Sequence, residues 1–284
     1  MRVIGALSQL LAVCTMKPMT LTMIASALGV RRRVVFILGL LAVLAVSQQS
    51  FAQSSSPAQQ AKHFGDEMLT YFRHPNAGVM VDELVTLPQS NPPKPDLPYI
   101  LGAFFSQVVN ADPMVGDLLV RKGAAGSPEV KSSIVLALEF SHDPRRVELI
   151  RTFAGNDALK KVVPADWDIR TFKITYPTHL DMMWACFSAT GDSFFVGRIA
   201  ETLGGWVPDD KFRDLQASAK DDPLLRPQFL KAVVAKAAIW SLISNAKNIA
   251  EVRVALAKFA AGAHGVPATM AAMIVARTQP SGSR

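Results

Sequence analysis

Three glutamates, Glu67, Glu139 and Glu201, are the carboxylates of this chain that could serve as the single catalytic acid of a helical glycosidase. Glu139 recurs as Gln107, Ser188 and Ser244 in the pattern set out below, and a position that is polar in every unit reads as the solvated end of a helix. The histidines are His63, His74, His142, His179 and His264, and none is spaced from another histidine or cysteine as zinc ligands usually are. His142 falls in the turn Ser141-His142-Asp143-Pro144, where a polar residue needs no further purpose. No Gly-x-Ser-x-Gly turn exists to strain a nucleophile. Gly204-Gly205 lacks the lysine and setting of a phosphate loop. Asp192 could be a ligand or acid beside Trp184 as a stacking platform. The simpler reading has Gly191 ending one helix, Asp192 capping the next before Ser193, and Trp184 filling the space between neighbouring helices. No catalytic, metal-binding or cofactor-binding residue is assigned, and no cofactor is expected.

The first 52 residues read as an export leader. Arg31-Arg32-Arg33 precedes thirteen apolar residues, 34–46, and Ser50-Phe51-Ala52 supplies the small residues of a cleavage site after Ala52. A second apolar stretch, 3–13, precedes this signal, which points to Met23 or a nearby Met as the start. Lipoprotein processing at Cys14 and twin-arginine export fit the flanking residues less well. Five of the 30 basic side chains lie in the leader and none of the 23 acidic ones, so the remainder is nearly balanced, at about +2. That balance argues against a nucleic-acid partner. The apolar run is too short to span a bilayer, which takes roughly 20 residues, so no membrane span is expected in the mature chain. Cleavage leaves Cys186 as the one cysteine, among Met183, Trp184, Ala185 and Phe187, and it reads as a small buried hydrophobe.

What must position these residues is a set of helices. Residues 88–98 hold five prolines and read as a linker, and residues 53–59 read as loose. Val115, Val147, Val196 and Val252, with Met80 more weakly, take one place in a recurring helix-turn-helix pattern. Twelve residues earlier stand Ala103, Val135, Trp184, Trp240 and Met68, and three residues after the valines come Leu118, Ile150, Ile199 and Ala255. Asn76, Asp112, Asp143, Asp192 and Asn248 stand where a side chain would cap the second helix. Ser127-Pro128-Glu129 reads as another helix start, and Thr178 with Asp181 as a capping box. Phe229, Val233, Ala237 and Trp240 form an apolar stripe from which Lys231 and Lys236 point away. Residues 162–176 break the helical pattern as an inserted loop or strand pair.

Trp184-Ala185-Cys186-Phe187-Ser188-Ala189-Thr190-Gly191-Asp192, with Ala237-Ala238-Ile239-Trp240-Ser241-Leu242 and Ser244-Asn245, resembles a group of exported proteobacterial proteins without an assigned activity. Residues 135–150, turning at Ser141-His142-Asp143-Pro144-Arg145, are similar to HEAT-type helical hairpins. The expected fold is all-α, an irregular array of antiparallel helical hairpins that is α-solenoid-like and similar to HEAT and tetratricopeptide (TPR) arrays. Residues 1–52 form the signal and upstream segment, 53–98 the N-terminal helices and linker, 99–278 the repeat domain and 279–284 a tail. Such a fold favours a scaffold for another protein or peptide of the cell envelope, in the periplasm of a double-membrane host. Two other readings stand beside it: an envelope hydrolase acting on peptidoglycan or another polymer, and a binder of small molecules between Trp184, Trp206 and Trp240. N-terminal sequencing of the exported protein is expected to begin at Gln53; a start before Gln53 would refute the leader reading.

Overall fold

The computed structural model describes residues 56–161 and 167–279. The leader with its cleavage site, residues 53–55, residues 162–166 and the tail from 280 lie outside them. Twelve α-helices and three short 3-10 turns make up the ordered elements, with no strand among the described residues, so the chain is all-α. In order they are α1 (Pro57–Thr70), α2 (Ala77–Thr86), α3 (Leu97–Ala111), α4 (Met114–Gly123), α5 (Pro128–Phe140), α6 (Arg146–Ala154), α7 (Pro177–Thr190), α8 (Ser193–Glu201), α9 (Asp209–Asp221), α10 (Arg226–Asn248), α11 (Ala250–Gly262) and α12 (Gly265–Thr278).

Helix α3 is apolar on every side, and each residue from Ile100 to Val109 is buried. A helix of that composition has no face to offer water and must be enclosed. Helix α5 covers one flank and α7 another. On the α5 side the backbones come so close that a Cβ on Gly102 would stand 2.6 Å from Leu136 Cβ. On the α7 side the Cys186 thiol lies 3.6 Å from the Ala103 carbonyl oxygen, so the lone cysteine is buried as expected. Tyr71 adds an edge-on contact to Phe104 at 5.3 Å. The starts of α3, α5 and α7 lie together, because the Ser90 and Lys94 amides donate to the Glu129 carboxylate at 2.8 and 3.2 Å and Asp96 interacts with Asp181. The three helices therefore run in the same direction.

Spatial order departs from chain order here. Helix α3 lies between α5 and α7, and α10 packs beyond α7, so α7 is not laid upon α5. Helices α4 and α6 neighbour each other in a second layer, as do α8 and α11. Helix α2 packs on α4 while α1 and the 3-10 turn Tyr71–Arg73 pack on α7, which makes the N-terminal pair part of the common core. Helix α10 is long and apolar enough to cross a membrane by length and composition, and it packs against α7, α9, α11 and α12.

Local signals hold where the partner is close in sequence. Asn76, Asp112 and Asp192 accept from the amides of Val79, Met114 and Phe194, and Asp143 accepts from Arg145 N–H. Ser127 caps α5 through Val130 N–H, and Gly191 ends α7 at a φ of +67°. Met80, Val115, Val196 and Val252 are buried, as are Met68, Ala103 and Trp184.

Other expectations are corrected. Residues 56–59 are not loose: Ser56 and Gln59 form a reciprocal capping box that starts α1. Helix α3 begins at Leu97, with Pro98 tolerated in its first turn. Val147 is 41 % exposed, and Leu149 and Ile150 carry the burial of α6. Asn248 donates back to the Ser244 carbonyl at 3.0 Å and caps nothing, and α11 starts without a side-chain cap. No capping box forms at Thr178 and Asp181; the Thr175 amide donates instead to His179 Nδ1 at 3.1 Å. The seam of α10 runs through Ala232, Ala235, Ala238, Leu242 and Ala246, rotated off the expected stripe, and Trp240 is 50 % exposed. The described part of the 162–176 excursion is loop, with Ile169 fully buried. Replacing Gly102 by valine should destabilise the protein by about 1–3 kcal/mol by forcing α3 and α5 apart. Urea unfolding reads this, and an unchanged midpoint would contradict the close approach.

Candidate functional site

The excursion that breaks the helical pattern also builds a groove. Trp167 stacks on Phe140 with centroids 4.6 Å apart, and Phe172 leans on Trp167 at 5.7 Å. Arg198 of α8 reaches across and donates to the carbonyl oxygens of Arg170 and Phe172, the latter at 2.8 Å. Arg170 pairs with Asp192 at 3.0 Å and lies 4.1 Å above the Phe194 ring. Pinned this way, the chain runs without regular structure through Lys173, Ile174 and Thr175 into α7. That stretch forms one wall of a groove of about 600 Å³.

The opposite walls are the 3-10 turn Thr202–Gly205 and the first turns of α10. Gly205 is required there, since a Cβ would stand 2.7 Å from the Lys231 carbonyl oxygen. Pro223 and Pro227 bracket the start of α10, and Arg226 Nε donates to the Ala219 carbonyl at 3.3 Å, joining the end of α9 to it. Ile174, Leu230 and Val234 give the groove its apolar surface, and Lys173, Arg226 and Lys231 bring three positive charges to it. Its one carboxylate, Glu201, is paired with Arg198 at 3.1 Å. Positive charge is therefore in excess, and such a cleft concentrates anions. Among the described residues no second acid and no histidine lines it.

The glutamates considered from sequence are differently placed. Glu67 is exposed and Glu201 belongs to the groove just described. Glu139 is 6 % exposed, and Gln107 and Ser188 are buried too, so the shared polar position is not a solvated helix end. It lies where neighbouring helices cover one another, and Gln107 finds an internal partner by donating to Ser106 Oγ at 3.2 Å. Glu139 lines a second groove of about 720 Å³ with Tyr99, Lys131, Phe140 and Phe153. A cavity of about 70 Å³ lies under the proline-rich linker, between Phe64, Met68 and Leu101.

His142 approaches Asp168 at 3.7 Å and His63 approaches Glu83 at 3.3 Å, both as surface contacts. Burial pushes the His179 pKa down, which keeps the imidazole neutral between Phe172 and Tyr176. Among the described residues no three His, Cys, Asp or Glu side chains gather as metal ligands would. Burial pushes the Cys186 thiol well up, away from the reactive thiolate. Trp184 is buried, Trp206 is 38 % and Trp240 50 % exposed, and none of the three lines any of these cavities.

The cationic groove was hidden from sequence reading because Lys173, Glu201, Gly205, Arg226 and Lys231 come from three separate segments. Proline on both sides of Arg226 and the break at 162–176 were the local marks of its walls. Compared with protein-family models, with curated proteins and with solved structures, the chain matches none.

One carboxylate has a measurable signature. Burial, and then the neighbouring Asp96, push Asp181 up to about 7. Between an ordinary carboxylate pKa of about 4 and this value the folded protein holds a proton that the unfolded chain has lost. Its contribution therefore weakens as pH rises from about 4 to about 7. Asp181→Asn should raise stability at pH 8 by up to about 4 kcal/mol and leave it nearly unchanged at pH 4. Urea titrations at both pH values measure this; an equal effect at both would show that the carboxylate is not held protonated.

Proposed function

We propose that this protein is an exported, non-enzymatic scaffold that offers a surface groove to another protein or peptide of the cell envelope. In this reading residues 1–52 are removed after Ala52 and the mature chain works in the periplasm of a double-membrane host, without a membrane span and without nucleic acid as partner. Its helices form an irregular array of antiparallel hairpins, a departure from the HEAT and tetratricopeptide pattern in which α3 lies between α5 and α7. The same-direction packing of α5, α3 and α7 supports that description, since stacked hairpins place their first helices side by side in one direction.

The observation that carries the functional reading is the excess of positive charge in an open groove whose only acid is already paired. The test is a photo-crosslinking residue at Tyr176, on the groove, compared with one at Met114, exposed on α4. Irradiation of intact cells is expected to give a discrete adduct from position 176 and none of that mass from position 114. Identical patterns, or no adduct at 176, would remove the scaffold reading.

A further inference from the structure

We infer that the groove between residues 173–176 and the start of α10 takes an extended acidic peptide segment, bound through the backbone of Ile174 and through its carboxylates to Lys173, Arg226 and Lys231. This rests on the scaffold reading and names the chemistry of its partner.

The first support is the backbone. Lys173, Ile174 and Thr175 follow one another with no regular structure; the Lys173 carbonyl accepts from His179, while the amide and carbonyl of Ile174 have no hydrogen-bond partner among the described residues. Thr175 N–H is satisfied within the protein by His179. A half-buried residue beside an open groove whose amide and carbonyl are both free is a point at which a second extended chain can pair. It stays in place without a partner because Arg198 holds the carbonyls of Arg170 and Phe172 just before it and α7 follows just after.

The second support is charge. Among the described residues Lys173 and Lys231 have no ion partner, and the one bond of the Arg226 side chain goes to a carbonyl oxygen. The acid beside them is neutralised by Arg198. Three cations facing one groove can each meet a carboxylate, and neighbouring apolar positions of the peptide would meet Ile174, Leu230 and Val234. Alternate side chains of an extended chain point to opposite sides, so acidic residues alternating with aliphatic ones fit a wall that is basic at its edge and apolar within. A small dicarboxylate would reach the charges but leave the free backbone groups unused.

Fluorescence polarisation with the purified protein tests this, using a labelled ten-residue peptide of alternating Glu and Leu, the same peptide with Lys for Glu, and succinate as competitor. The Glu-Leu peptide is expected to bind and to lose at least tenfold in affinity to the Lys173→Ala/Lys231→Ala double variant. Both side chains are exposed, so folding should be untouched, and far-ultraviolet circular dichroism checks it. The Lys-Leu peptide should not bind, and N-methylation of alternate peptide amides should cost a similar factor. Binding that survives the double variant, equal binding of the Lys-Leu peptide, displacement by micromolar succinate, or indifference to N-methylation would each overturn the proposal. The scaffold reading fails separately, on the crosslinking pattern at Tyr176, since a groove closed to acidic peptides could still bind a partner of other chemistry.

Discussion

The structure depends on enclosing α3. Ten consecutive buried residues cannot be satisfied by one neighbour, so α5, α7 and the turn after α1 must all reach this helix. Phe104 and Phe105, both fully buried, would each contribute about 1.5–3 kcal/mol. Gly102 admits α5 to backbone distance, and the Ser106 hydroxyl donates to the Ala103 carbonyl, so the polar atoms in the middle of the helix find partners without water. The remaining helices are arranged by what is left uncovered: α4 and α6 behind α3 and α5, α8 and α11 behind α7 and α10.

Placing α3 at the centre forces the chain to travel. After α6 it must pass from beyond α5 to the far side of α3 before α7 can begin, and residues 155–176 make that passage. From Trp167 onward the passage is held by long-range contacts: Trp167 on Phe140, Ile169 in the core, Arg170 on Asp192 and Phe194, and Arg198 on two of its carbonyls. A segment fixed by side chains from elsewhere leaves the Ile174 amide and carbonyl without a partner among the described residues. The groove is thus a consequence of the crossing.

Close approach shapes the other wall. Small residues on α10, from Ala232 to Ala246, let it lie near its neighbours, and Gly205 lets the 3-10 turn touch the α10 backbone at Lys231. That contact turns Lys231 and Arg226 toward the same opening as Lys173. Three residues that are unremarkable alone become a field of one sign, with Glu201 cancelled by Arg198.

The sequence by itself determined what short range can decide. Asn76, Asp112, Ser127, Asp143 and Asp192 accept from amides two or three residues ahead, Gly191 turns left-handed where L side chains rarely go, and Met80, Val115, Val196 and Val252 lie on the buried faces of their helices. Only the tertiary structure decided which of several apolar faces a neighbour covers. Val147 and Trp240 lost that competition to Ile150 and the alanine seam of α10, while the polar Glu139, Gln107 and Ser188 were buried. Periodicity reports that a helix has a face to bury, but the identity and position of the covering helix are set by the whole packing around α3. The groove belongs to that second kind, because it exists only where three distant segments meet.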